Sequence, residues 1–132
     1  MAIERINPPG LHRPVDDLYT HIVKATGTIY RIGGQVAIDE DGDDLHVGDM
    51  AAQIRSCYEQ VDLALRSQNL GWDDVVHLYT FTTDMDSYLQ EEKTVAEQFF
   101  EGRPPASTLV EVNRLVKPDW LVEVQADAVG TP

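Results

Sequence analysis

The sequence predicts an α+β fold in which two helices cover one face of a sheet. Three observations carry it. Two stretches repeat apolar residues at spacings of three and four, several β-prone runs are broken by Gly and Pro, and 132 residues suffice to close one core but not two. Residues 1–132 are therefore expected to form a single domain, with elements in the order βββαβαββ and about six strands.

Pro8, Pro9, Gly10 and Pro14 leave Met1 to Pro14 as loop beyond a short edge strand at Ile3 to Ile6. Thr20 to Ala25 and Thr28 to Ile32 are β-prone runs flanking Thr26-Gly27, where glycine can take positive φ, so a hairpin is expected. A third strand, Gln35 to Ile38, should follow Gly33-Gly34. The Asp39 to Asp44 stretch reads as an acidic turn, since it lacks the flanking helices and terminal glutamate of a calcium loop. Asp49 is placed to cap a helix whose stripe is Met50, Ile54, Cys57, Val61, Ala64 and Leu65, ending near Asn69 to Gly71. Asp74 to Thr83 alternates apolar residues on both faces, as a central strand does. A second helix is expected from Asp86, with Tyr88, Leu89, Val95, Ala96, Phe99 and Phe100 facing the core and Gly102 and Pro104-Pro105 stopping it. The last two strands are Ser107 to Val112 and Leu121 to Val129.

Each helix spans about two strands, so two helices cover one face only. On the last strand Val122, Val124, Ala126 and Ala128 suit helix packing, while Leu121, Glu123, Gln125 and Asp127 point oppositely. A mixed face of this kind suggests an oligomer interface wet enough to hold a ligand.

Several classes are disfavoured. The 23 acidic against 10 basic residues give a net charge of −13, which repels nucleic acid and anionic lipid. No run approaches the roughly 20 apolar residues of a membrane helix, and Met1 to Gly10 lacks the apolar stretch of a secretory signal, so a cytoplasmic location is expected. Cys57 has no partner for a disulfide or zinc site and reads as a buried core thiol. The four histidines show no metal-ligand spacing, and phosphate, dinucleotide and nucleophile-elbow motifs are missing, so neither metal nor cofactor is expected. His77, on the central strand, reads as a satisfied core histidine.

Pro105-Ala106-Ser107-Thr108-Leu109-Val110-Glu111-Val112 and Leu121-Val122-Glu123-Val124-Gln125-Ala126-Asp127-Ala128-Val129, with Gly33-Gly34-Gln35 and Phe99-Phe100, resemble the Rid family of reactive-intermediate deaminases, also called YjgF. The resemblance runs from about Tyr19 to Val129. It implies a chorismate-mutase-like α+β fold, a six-stranded mixed sheet with two helices on one face, assembled as a homotrimer with ligand clefts between subunits. It also implies hydrolysis of small enamine or imine metabolites without a cofactor. In the family an arginine in a Pro-Ala-Arg-Ser pattern grips the substrate carboxylate as a bidentate fork, and a glutamate on the last strand serves the water and the leaving nitrogen.

By that resemblance Glu123 is the candidate catalytic residue, and Ser107, Thr108, Tyr19 and Gly34 are the candidate substrate-binding residues. Ser107 stands where the family has its arginine. Three readings follow: Ser107 and Thr108 bind a neutral or differently shaped substrate, Arg31 or Arg103 of a neighbouring subunit supplies the cation, or hydrolysis is lost. Gly34 would let the backbone approach a ligand or merely form a β-bulge with Gly33. For Glu123 the plainer alternative is a solvated edge carboxylate. Glu92 falls near a family asparagine across an insertion and receives no role. Ser107 and Glu123 are expected on adjacent strands, looking across one cleft toward a sister subunit. The competing functions are an imine hydrolase with altered recognition, a ligand-binding trimer without turnover, and an endoribonuclease, which the charge opposes.

Overall fold

The computed structural model describes residues 3–131, so the expectations for Met1, Ala2 and Pro132 fall outside the described residues. Its elements are β1 (Ile3–Ile6), β2 (Ile22–Ala25), β3 (Thr28–Gln35), α1 (Met50–Ser67), β4 (Val75–Thr82), α2 (Met85–Phe100), β5 (Ala106–Glu111) and β6 (Val122–Gly130). The order βββαβαββ holds, with the edge strand β1 as its first strand and no separate strand at Gln35 to Ile38. Six strands are found among the described residues, and hydrogen bonding divides them into a β1-β2 pair and a four-stranded sheet ordered β3-β6-β4-β5. β4 and β5 run parallel, joined by α2 as the crossover that parallel pairing requires, while β6 is antiparallel to both β3 and β4.

β4 is central, as its two-sided pattern predicts. Leu78, Thr80 and Thr82 are buried and lie in register with Ala126, Val124 and Val122 of β6. Both helices pack on this face. Ile54, Cys57, Val61 and Leu65 of α1 meet Tyr88, Val95, Ala96 and Phe100 of α2 over the small residues of β6 in one apolar cluster. Each large side chain so buried contributes about 1.5–3 kcal/mol. Tyr58 stacks on Trp72 at 5.3 Å and meets Phe99 edge-on at 5.2 Å, closing the end of the core. Cys57 is buried as expected, its thiol 3.7 Å from the Val122 carbonyl.

Asp49 caps α1 by accepting the Ala52 N–H at 3.1 Å, and Asn69 takes the left-handed conformation just past its end. α2 begins at Met85, one residue earlier than expected, and is capped by Asp84, which accepts the Ser87 N–H at 3.1 Å. Ala64 is only partly buried on the α1 stripe, and Leu89 on α2 is 55% exposed rather than in the core.

Three strand expectations fail. The Thr20 to Ile32 region is not a hairpin: β2 pairs with β1, and β3 with β6. Gly27, at φ +144°, carries the chain from one sheet to the other, passing so close to the Gly130 carbonyl that no β-carbon fits. Gln35 to Ile38 is not a separate strand. Gln35 ends β3, and the Val36 and Ile38 carbonyls accept from the Gln60 side chain of α1 at 2.8 and 3.0 Å instead of from a neighbouring strand. The last two strands are not adjacent, since β4 lies between β5 and β6. The Asp39 turn forms as expected, Asp39 Oδ1 accepting the N–H groups of Asp41 and Asp43 at 2.9 Å each.

Candidate functional site

Thr20 fixes the segment that precedes β2. Its N–H donates to the Pro105 carbonyl at 3.0 Å, and its buried hydroxyl donates to the Pro104 carbonyl at 2.7 Å. These bonds tie Val15 to Thr20 to the start of β5, an edge strand that α2 does not fully cover. The result is a cavity of about 570 Å3 with three walls. The segment supplies Val15, Asp16, Leu18 and Tyr19; α2 supplies Leu89, Glu92 and Lys93; β5 supplies Ser107 and Leu109.

Strand alternation selects the β5 residues. Ser107 and Leu109 are in register with Leu78 and Thr80, which face the helices, whereas Thr108 is in register with Tyr79 on the opposite face. Ser107 and Thr108 therefore do not share a pocket within one chain. On α2, Leu89, Glu92 and Lys93 stand at i, i+3 and i+4 and share a helix face. That spacing is the sequence signal that could have flagged them. Leu89 reads as core from periodicity alone because the helix stripe extends beyond the sheet it covers.

The cavity is electrically one-sided. Burial pushes the Glu92 carboxyl above its ordinary pKa, with the Tyr88 hydroxyl opposing the shift and Asp16 adding to it. Lys93 is occupied, its Nζ lying 3.8 Å from Asp16 and 3.9 Å from Glu97. Tyr19 is held by His12, whose Nε2 lies 2.6 Å from the phenol oxygen, and His21 Nε2 donates to the His12 carbonyl at 2.7 Å. Asp16 and Asp17 both adopt left-handed backbone, at φ 51° and 54°, a costly conformation at the rim of a cavity.

Gly34 and Glu123 form a second cluster. Ile32 pairs with Ala126 and Gln35 with Val124, so Gly33 and Gly34 together oppose Gln125 in a β-bulge. A β-carbon on Gly34 would fall 2.7 Å from Glu123 Cδ and 3.0 Å from Cγ. Only glycine lets the carboxylate lie across β3 at this point. Glu123 is partly buried on an interior strand, in register with Phe81, so it is not a solvated edge residue.

Ser107 and Glu123 thus lie on opposite faces of the sheet with β4 between their strands, and the expected single-chain arrangement of the two across one cleft is corrected. Tyr19 and Ser107 come together, Gly34 and Glu123 come together, and Thr108 joins neither group. Arg31 lies 3.6 Å from Asp127. Arg103 forks onto Asp73 at 2.8 and 3.3 Å, and that carboxylate holds the guanidinium pKa up. Neither arginine lines the cavity in its own chain. His77 is also corrected: it is partly buried on the face away from the helices, and its Nδ1 lacks a hydrogen-bond partner among the described residues. Burial lowers its pKa.

The family model described as Endoribonuclease L-PSP matches residues 11–130. The 3-aminoacrylate deaminase RutC of Acinetobacter baylyi is 36% identical over 128 residues, covering 97% of this chain and 98% of its own. Among solved structures, a Rid-family protein of unknown function, YyfB from Yersinia pestis, is 28% identical with a TM-score of 0.91, over 98% of this chain and 99% of its own. TdcF of E. coli with bound serine is 27% identical with a TM-score of 0.69, over 93% of each chain. The YjgF gene product of E. coli is 28% identical with a TM-score of 0.67, over 84% of this chain and 87% of its own. With these likenesses, two helices on a mixed sheet are the α+β, chorismate-mutase-like fold.

Proposed function

From the premise that the chain belongs to the Endoribonuclease L-PSP family, the Rid (YjgF) proteins, we propose that it is a cofactor-free enamine/imine deaminase-like hydrolase. It acts on a small metabolite in clefts between the subunits of a cytoplasmic homotrimer. The observation that carries this reading is the division of the candidate residues between two faces. Tyr19 and Ser107 make one half of a site, Gly34 and Glu123 the other, and no single chain can join them. In a ring of copies the Glu123 half of one subunit closes the Ser107 half of the next.

The chemistry needs little. A protonated imine carbon is electrophilic, so the site has to orient it, place a water and move protons. Glu123 takes a proton from water as its oxygen bonds to the imine carbon and the C=N π pair moves to nitrogen. The carbinolamine nitrogen then takes that proton back from Glu123, and as the C–N bond breaks and ammonia leaves, the hydroxyl oxygen closes the C=O bond and gives its proton to the freed Glu123 carboxylate, leaving a carbonyl compound. The Gly34 gap supports this role, since it leaves the carboxylate room to lie over backbone rather than against a side chain. The RutC relative, itself named a deaminase, lends support.

Incubating purified protein with freshly generated 2-aminoacrylate and with imines lacking a carboxylate, while following semicarbazone formation, tests the reading. Faster loss of an imine than in buffer, abolished in Glu123→Gln, is expected. No acceleration with any imine would leave the second reading, a ligand-binding trimer without turnover, which the lack of an uncommitted cation in the cavity favours. A net charge of −13 argues against RNA as substrate.

A further inference from the structure

We infer that the cavity beside α2 selects a substrate presenting a cationic or hydrogen-bond-donating nitrogen and no carboxylate, with Glu92 as the residue that receives that nitrogen. This rests on the deaminase reading of the same cavity and narrows its substrate class.

The charges on the walls decide the matter. Asp16 and Glu92 oppose the single cation Lys93, whose ammonium already lies between Asp16 and Glu97. A carboxylate entering this space would meet two carboxylates against one ammonium, and that ammonium is already shared between Asp16 and Glu97, so like charge opposes its binding. A protonated imine or amine would meet the opposite situation. Glu92 is held where burial already disfavours its charge, with Tyr88 as its hydrogen-bonding neighbour, so a cation placed beside it restores the stabilisation that water no longer gives.

The remaining walls specify the body of the ligand. Leu18, Leu89 and Leu109 present apolar surface, and Leu89 is 55% exposed, more than a helix face ordinarily leaves uncovered next to a sheet. Ser107 and Tyr19 add hydroxyls that donate or accept. The apolar walls suit a branched or cyclic apolar group. The expected class is an apolar imine or enamine carrying its positive charge on the reacting nitrogen.

Titration of the full-length protein with 3-methylbutylamine and with 3-methylbutanoate isolates the headgroup, because both carry the same apolar body. Methyl shifts of Leu89 and Leu109 report the location by NMR, and calorimetry reports affinity. The ammonium ligand is expected to bind at least about tenfold tighter than the carboxylate and to shift both leucines. Glu92→Gln should lower the ammonium affinity by about tenfold or more and change the carboxylate affinity by less than about threefold. Ser107→Arg should raise carboxylate affinity. Equal or tighter carboxylate binding by the unaltered protein overturns the inference, as does ammonium binding that moves neither leucine, or no binding by either ligand. The measurement involves no turnover, so its failure is distinct from a failure of imine hydrolysis, which the semicarbazone assay reads separately.

Discussion

Glu123 lies across the backbone of Gly34, one strand away, in the space where any other residue at position 34 would place its β-carbon. The bulge at Gly33-Gly34 is what brings the two together, because the extra residue in β3 shifts its register against β6 between Ile32 and Gln35.

Gly34→Ala is therefore expected to displace the carboxylate while leaving the fold intact. The obstructing atoms are the end of a flexible side chain, so the loss of stability should stay within about 1 kcal/mol. Imine hydrolysis should fall toward the level of Glu123→Gln, itself expected to lose about 10²–10⁴-fold. Thermal unfolding beside initial rates separates the two effects, and full activity in Gly34→Ala would show that the position of Glu123 does not matter.

Glu92 makes stability depend on pH in a defined direction. Its folded-state pKa is raised above the ordinary 4.5, chiefly by burial, so the folded state holds the proton more tightly than the unfolded one. The resulting penalty is nil below the unfolded value, grows as pH rises through it, and is complete above the folded value. Glu92→Gln removes the penalty, so its stability relative to the unaltered protein should improve from about pH 4 to about pH 7 in urea titrations. An advantage that shrinks over that range would contradict the assigned burial.

Thr20→Val keeps the side-chain shape but removes the buried hydroxyl that donates to the Pro104 carbonyl. A cost of about 1–3 kcal/mol is expected from the carbonyl left unpaired. The Tyr19 segment should also loosen from β5, weakening ligand binding in the cavity. Hydrogen exchange at residues 18–20 measures that loosening directly.

Cys57 should be inert in the native protein. It is fully buried, and burial, with Glu123 adding to it, pushes its thiol pKa to about 12. Iodoacetamide at about pH 8 should leave it unmodified until urea is added, as read by intact mass. Rapid native alkylation would place Cys57 elsewhere than the core.

Both helices, the Asp49 cap, the central strand and the Asp39 turn were legible because each depends on local chemistry: a period of three and four, a carboxylate before a helix, alternation over eight residues, a side chain bonding its own turn. The partners of the strands were not legible. Thr28 to Ile32 carries the same β-prone residues whether it returns on β2 or crosses to β6, and the choice rests on contacts about a hundred residues apart in sequence, such as Thr28 with Gly130.

The sequence by itself determined the family resemblance, the helical faces and the acidic charge. Only the tertiary structure decided that β4 separates β5 from β6, which puts Ser107 and Glu123 on opposite faces, and that Glu92 and Leu89 border a cavity instead of solvent or core. The reason is physical: periodicity tells which side of its own element a residue occupies, whereas what lies opposite that side is fixed by long-range pairing and by where each helix stops covering the sheet.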